Sequence, residues 1–87
     1  MLKLNNGVVK TEVDGEIVLM DTNTGTYFGL NEVGSRMLEL SLTLDNKELV
    51  VQQLLEEYDI DAAEARNDLD EFITALLSKG LVTEQNH

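Results

Sequence analysis

Asp21, Asn23 and Glu32 stand at the first, third and twelfth positions of a calcium-loop spacing, in which side-chain oxygens ring a hard cation. The pattern breaks at its centre. Its fifth position is Gly25, and its sixth, where the loop turns sharply on glycine, is Thr26. The flanks read as strand and helix where the loop needs two helices, so a turn followed by a helix cap is expected, with no metal. Nucleophilic chemistry fares no better. The chain has no cysteine, its one histidine is His87 at the last position, and Ser35, Ser41 and Ser78 have no base beside them in sequence. Adjacent acids such as Glu56 and Glu57 are the usual surface of a solvated helix. No catalytic residue, metal ligand or cofactor is therefore predicted, and the chain is expected not to be an enzyme.

One stretch does carry a binding chemistry. Thr26, Tyr27, Phe28 and Leu30 favour strand, with Gly29 loosening the run. If this strand ends a sheet, its outer side presents unpaired N–H and C=O groups, a template for another chain. Neither Lys nor Pro blunts it. Capture of an extended peptide by strand addition is one reading. The other is that Phe28 and Leu30 are core while Tyr27 covers surface.

The surrounding elements must position this strand. Val8 to Val13 and Glu16 to Met20 flank Asp14-Gly15, a strong hairpin signal. In the second of these strands Ile17 and Leu19 point one way, Val18 and Met20 the other. With both faces apolar, the strand is expected to be covered on both sides. A turn follows, in which Gly25 supplies a positive φ and Asp21 and Asn23 can bond their own backbone. The aromatic strand is then the third of an antiparallel meander.

From Asn31, an expected N-cap, the period becomes helical. Val33, Met37, Leu38 and Leu40 share one side of a helix that fades near Ser41 and Leu42. Asp45 and Glu48 have capping-box spacing and open a second helix to about Tyr58, with Val50, Val51, Leu54, Leu55 and Tyr58 as its stripe. Asp61 and Glu64 repeat the signature. The third helix then sets Ala62, Ala65, Leu69, Phe72, Ile73, Leu76 and Leu77 at helical spacing, and Lys79-Gly80 stops it. Leu81 to Thr83 is expected to pair briefly before a frayed tail at 85–87. The fold class predicted is α+β, winged helix-turn-helix-like: a three-stranded antiparallel sheet followed by three helices, one domain over residues 1–87.

Charge narrows the partners. Seventeen acidic residues face six basic ones, a net of -11. Such a field repels phosphate backbones and anionic membranes, because both are bound through Lys and Arg. The third helix is itself acidic, with Glu64, Asp68, Asp70 and Glu71. No apolar run approaches the ~20 residues that span a bilayer, and the first residues lack the long apolar region of a secretory signal. A cytoplasmic domain with no nucleic-acid and no membrane partner is expected.

Several runs then occur in a telling order: Val18-Leu19-Met20-Asp21; Gly25-x-Tyr27-Phe28-Gly29-Leu30-Asn31-Glu32-x-Gly34; Leu55-x-x-Tyr58-x-Ile60; Asp68-Leu69-x-x-Phe72; and Gly80-Leu81-Val82. This order resembles the PqqD-like proteins, the stand-alone RiPP recognition elements, and looks most like those of lasso-peptide gene clusters. The resemblance implies a winged-helix-like domain that binds the leader segment of a ribosomally made precursor peptide. It implies presentation of that peptide to a modifying enzyme, in lasso clusters a leader-cleaving cysteine protease with a separate cyclase. The family's groove between third strand and third helix maps onto Thr26, Tyr27, Phe28, Gly29 and Leu30, and onto Asp68, Phe72, Ala75, Leu76 and Lys79. The founding member instead serves a radical enzyme in pyrroloquinoline quinone synthesis, a second possible role. A winged-helix DNA-binding regulator shares the architecture, and the acidic third helix argues against it.

Overall fold

Asp14 and Gly15 adopt φ of 53° and 82°, the paired left-handed conformation of a two-residue hairpin turn whose twist suits the strands on either side. In the computed structural model, which describes residues 1–85, that turn joins the second and third of five strands. Chain order is β1 (Leu2–Leu4), β2 (Val8–Val13), β3 (Glu16–Asp21), β4 (Thr26–Gly29), α1 (Glu32–Thr43), α2 (Lys47–Glu57), α3 (Ala62–Ser78) and β5 (Val82–Glu84).

β2, β3 and β4 form the expected antiparallel meander in that spatial order, with Lys10 opposite Leu19 and Leu19 opposite Phe28. β1 and β5 form a second, two-stranded antiparallel sheet in which Leu2 faces Glu84 and Leu4 faces Val82. The brief pairing expected at Leu81 to Thr83 therefore has a partner, a strand at the opposite end of the chain that the sequence reading left out. Of the tail expected to fray, Asn86 and His87 lie outside the described residues.

The helices start where side-chain oxygens accept the free amides of the first turn. Asn31 Oδ1 accepts from Gly34 N at 2.7 Å, and Asp61 Oδ1 from Glu64 N at 2.8 Å. The start of α2 departs from expectation. Its cap is Asn46, whose Oδ1 accepts from Leu49 N at 3.0 Å, and not Asp45. Glu48 has no part in a capping box, because its carboxylate is taken by a two-pronged bond from Arg66 on α3, both contacts at 2.9 Å. α3 stops as expected: Lys79 N donates to Ala75 O, and Gly80 takes φ of 71°.

One apolar core joins all these parts. Ile17 and Leu19 of β3 meet Leu38 of α1, Val50, Val51 and Leu54 of α2, and Leu69 and Leu76 of α3. Leu2 and Val82 of the small sheet, with Leu81 just before β5, close it. Each fully buried side chain of this size contributes on the order of 1.5–3 kcal/mol. β3 is not covered on both faces. Val18 and Met20 are half-buried, and on their side of the sheet Val9, Val13 and Tyr27 are 45%, 56% and 67% exposed. The sheet packs one face on the helices and leaves the other open.

Candidate functional site

Leu30 N donates to Ile17 O at 2.8 Å, which fixes the hydrogen-bonding phase between β3 and β4. Antiparallel pairs alternate between bonded and non-bonded, and the register sets Phe28 opposite Leu19 and Thr26 opposite Asp21. Leu30, Phe28 and Thr26 thus turn their backbone groups toward β3. Tyr27 and Gly29 turn theirs outward, to an edge with no neighbouring strand among the described residues.

The turn that delivers β4 is built by Asp21. Its backbone carbonyl accepts from Gly25 N at 2.8 Å, and its carboxylate accepts from Asn23 N at 2.9 Å. A carboxylate turned onto its own turn is the backbone-bonding role anticipated for Asp21, and among the described residues no group of three or more His, Cys, Asp or Glu could hold a metal ion. At the other end of β4 a buried serine holds the corner. Ser35 Oγ accepts from Ile17 N at 2.8 Å and donates to Leu30 O at 3.3 Å. In the sequence Ser35 stands out only as a nucleophile without a base, because a serine in the first turn of a helix carries no signal of a long-range contact.

Side chains on β4 divide between the two sheet faces. Phe28 and Leu30 are half-buried against the core, whereas Tyr27 stands on the open face, opposite Met20 in register. Across from the inner face, α3 offers Asp68, Phe72, Ala75 and Lys79 in one stripe, spaced by four, three and four residues. Lys79 Nζ stands 5.5 Å from the centroid of the Phe28 ring, a cation over an aromatic face. A methyl group at Gly34 would lie 3.6 Å from Phe72 Cε1 and 3.7 Å from Leu30 Cβ, so both side chains rest on the first turn of α1. Lys79 thus stands over Phe28, while Leu30 and Phe72 both border Gly34, so β4 and α3 run in opposite senses on this side of the molecule, and the strip of surface between them is called the trough.

Thr26 and Gly29 on β4, and Asp68 and Ala75 on α3, are exposed. Two of the expected groove residues lie outside the trough: Tyr27 points to the opposite sheet face and borders the edge only through its backbone, and Leu76 is buried. It is 3% exposed and belongs to the core, so it supports the trough from beneath and is not part of its surface.

Charge around the trough is uneven. Among the cations after β4, Arg36 pairs with Glu57 and Glu39, Lys47 with Asp70, and Arg66 with Glu48. Lys79 has no ion-pair partner among the described residues, and neither has Asp68 at the opposite end of the stripe. On the far side of α1, the Arg36 guanidinium and then the Gln53 amide hold the Glu57 carboxyl down at about 2.

Two solved structures superimpose on this arrangement. One is TbiB1 in complex with the TbiA(beta) leader peptide, 36% identical, with a TM-score of 0.87 over 98% of this chain and 99% of that one. The other is a lasso peptide synthetase B1 complexed with the leader peptide, 24% identical, with a TM-score of 0.89 over 95% of this chain and 98% of that one. No curated protein matches the chain. Residues 16–82, from the start of β3 to the start of β5, match coenzyme PQQ synthesis protein D, and the chain belongs to the PqqD family.

Proposed function

We propose that this chain binds the leader segment of a ribosomally made precursor peptide and holds it for an enzyme that modifies or cleaves it. The observation that carries this is the open edge of β4. Tyr27 and Gly29 offer their backbone donors and acceptors beside a trough between β4 and α3. An extended peptide satisfies those groups as a further strand, and every second side chain enters the trough to be selected. That the 36%-identical TbiB1 was solved with a leader peptide supports the same reading.

The partner enzyme in this proposal is a leader-cleaving cysteine protease of lasso-peptide type. The chain adds no chemistry of its own, and its effect is to make the meeting of enzyme and substrate intramolecular. The net charge of -11 and the acid-rich exposed side of α3 oppose the regulator reading, in which that helix would lie against phosphates.

Calorimetric titration of the purified chain with the leader of the precursor encoded beside its gene tests the proposal. Saturable binding is expected at one site, with no change in the mass of the full precursor after incubation with the chain alone. Absence of binding, or a cleaved product, overturns it.

A further inference from the structure

Resting on the strand-addition reading, we infer that the trough selects a leader of defined charge polarity, with a carboxylate side chain seated on Lys79 toward the leader's C-terminal side. Four observations converge. Arg36, Lys47 and Arg66 are each engaged by acids of this chain, which leaves Lys79 as the one cation after β4 available to a ligand among the described residues. Its ammonium is held at the trough by the Phe28 ring, 5.5 Å from the centroid. Its position as the C-cap of α3 suits a cation, since the helix end is partially negative. Asp68, eleven residues earlier on the same stripe, gives the other end of the trough the opposite sign.

Register turns these signs into a direction. Every strand of this sheet pairs antiparallel with its neighbour, and a leader that adds to β4 in the same way runs from Leu30 toward Thr26, passing Phe72 and Asp68 first and Phe28 and Lys79 afterwards. Phe28 bonds to β3, so across the open edge it faces its leader partner in a non-hydrogen-bonded pair, where the two residues approach most closely. The leader residues facing Phe28 and Thr26 point to the same side of the sheet as Phe28 itself. A carboxylate there comes within reach of Lys79 Nζ. Beside Leu30 and Asp68 an acid would be repelled and a basic or neutral residue accepted. Lys10 shares this sheet face but lies two strands away on β2, so Lys79 is the cation placed to select an acid at this position.

The test is a double-mutant cycle using the leader of the precursor encoded beside this gene, titrated into the full chain by fluorescence anisotropy at two salt concentrations. Each acid of the leader is replaced in turn by its amide. Lys79→Gln is expected to weaken the parent leader about three- to tenfold, an effect of charge-assisted size, and to leave unchanged the binding of the one leader variant lacking the seated acid. Lys79→Glu is expected to restore binding to a leader carrying Lys at that place, and the coupling is expected to fade at high salt. Binding of every leader variant with the same response to Lys79→Gln overturns the charge polarity and leaves strand addition standing. A coupled acid on the N-terminal side of the bound segment overturns the direction. Failure of the parent leader to bind removes both readings.

Discussion

Ser35 Oγ lies 2.8 Å from the backbone nitrogen of Ile17 and accepts its hydrogen bond inside the core. The bond ties the first turn of α1 to β3, and the same hydroxyl donates to Leu30 O where β4 ends. One side chain therefore sets how the edge strand meets the helical layer.

A second serine provides the control for this role. Ser41 is equally buried, yet its Oγ has no hydrogen-bond partner. Ser35→Ala strands a buried amide and is expected to cost about 1–3 kcal/mol, seen as a fall in Tm of several degrees for a domain of this size. Ser41→Ala removes an unsatisfied hydroxyl and is expected to leave Tm unchanged or slightly higher. Equal losses in thermal melts of the two variants would refute the assignment.

Exposure separates two variants of expected groove residues in the same way. Tyr27 is 67% exposed on the open sheet face, beside the backbone proposed to receive the leader. Tyr27→Ala is expected to keep the parent Tm and to weaken the leader several-fold, through lost cross-strand contact. Leu76 is core, and Leu76→Ala is expected to cost about 2–5 kcal/mol. Calorimetry with melts alongside distinguishes them. A folded Tyr27→Ala that binds like the parent would move the peptide off this edge.

The Arg36–Glu57 pair makes acid stability readable. Glu57 titrates at about 2 in the folded chain because the Arg36 guanidinium and then Gln53 bond its carboxylate. Its folded pKa lies below its unfolded one, so the stabilisation is complete above about 4.5 and is lost as pH falls toward 2. The pair lies at the surface, so its contribution is modest, up to about 1 kcal/mol. Arg36→Gln is expected to melt below the parent at pH 6, with the gap closing between pH 4.5 and 2.5. A gap that stays constant across this range would dissociate the pair from acid stability.

Much of this architecture is legible locally. The Asp14-Gly15 pair sets the hairpin, Asn31 and Asp61 cap the helices they were expected to cap, and the run from Gly25 to Gly34 carries the family resemblance that the comparisons bear out. What escapes is what depends on distant partners. Leu2-Lys3-Leu4 is too short for a recognisable period and becomes a strand only against Val82 to Glu84 at the far end of the chain. Asp45 and Asn46 are both competent caps. Arg66 occupies Glu48 and leaves the capping-box pattern without its second member. Leu76 and Phe72 share a helical face in sequence, and only the packing of β3 and α1 shows which is sealed and which is open.

The pairing of β1 with β5 places Leu2 beside Glu84, so the chain enters and leaves the fold at adjoining strands. That junction lies by the α1–α2 connection, where the Met1 amino group donates to Leu44 O at 2.6 Å, and it involves no residue of β4. Ends that meet at one point make the domain portable. Spliced into a surface loop of a larger protein, or cut open elsewhere and rejoined by a short linker from Glu84 to Leu2, it would leave the edge of β4 untouched. The same fold could thus stand alone or sit inside a longer chain with the open edge of β4 unchanged.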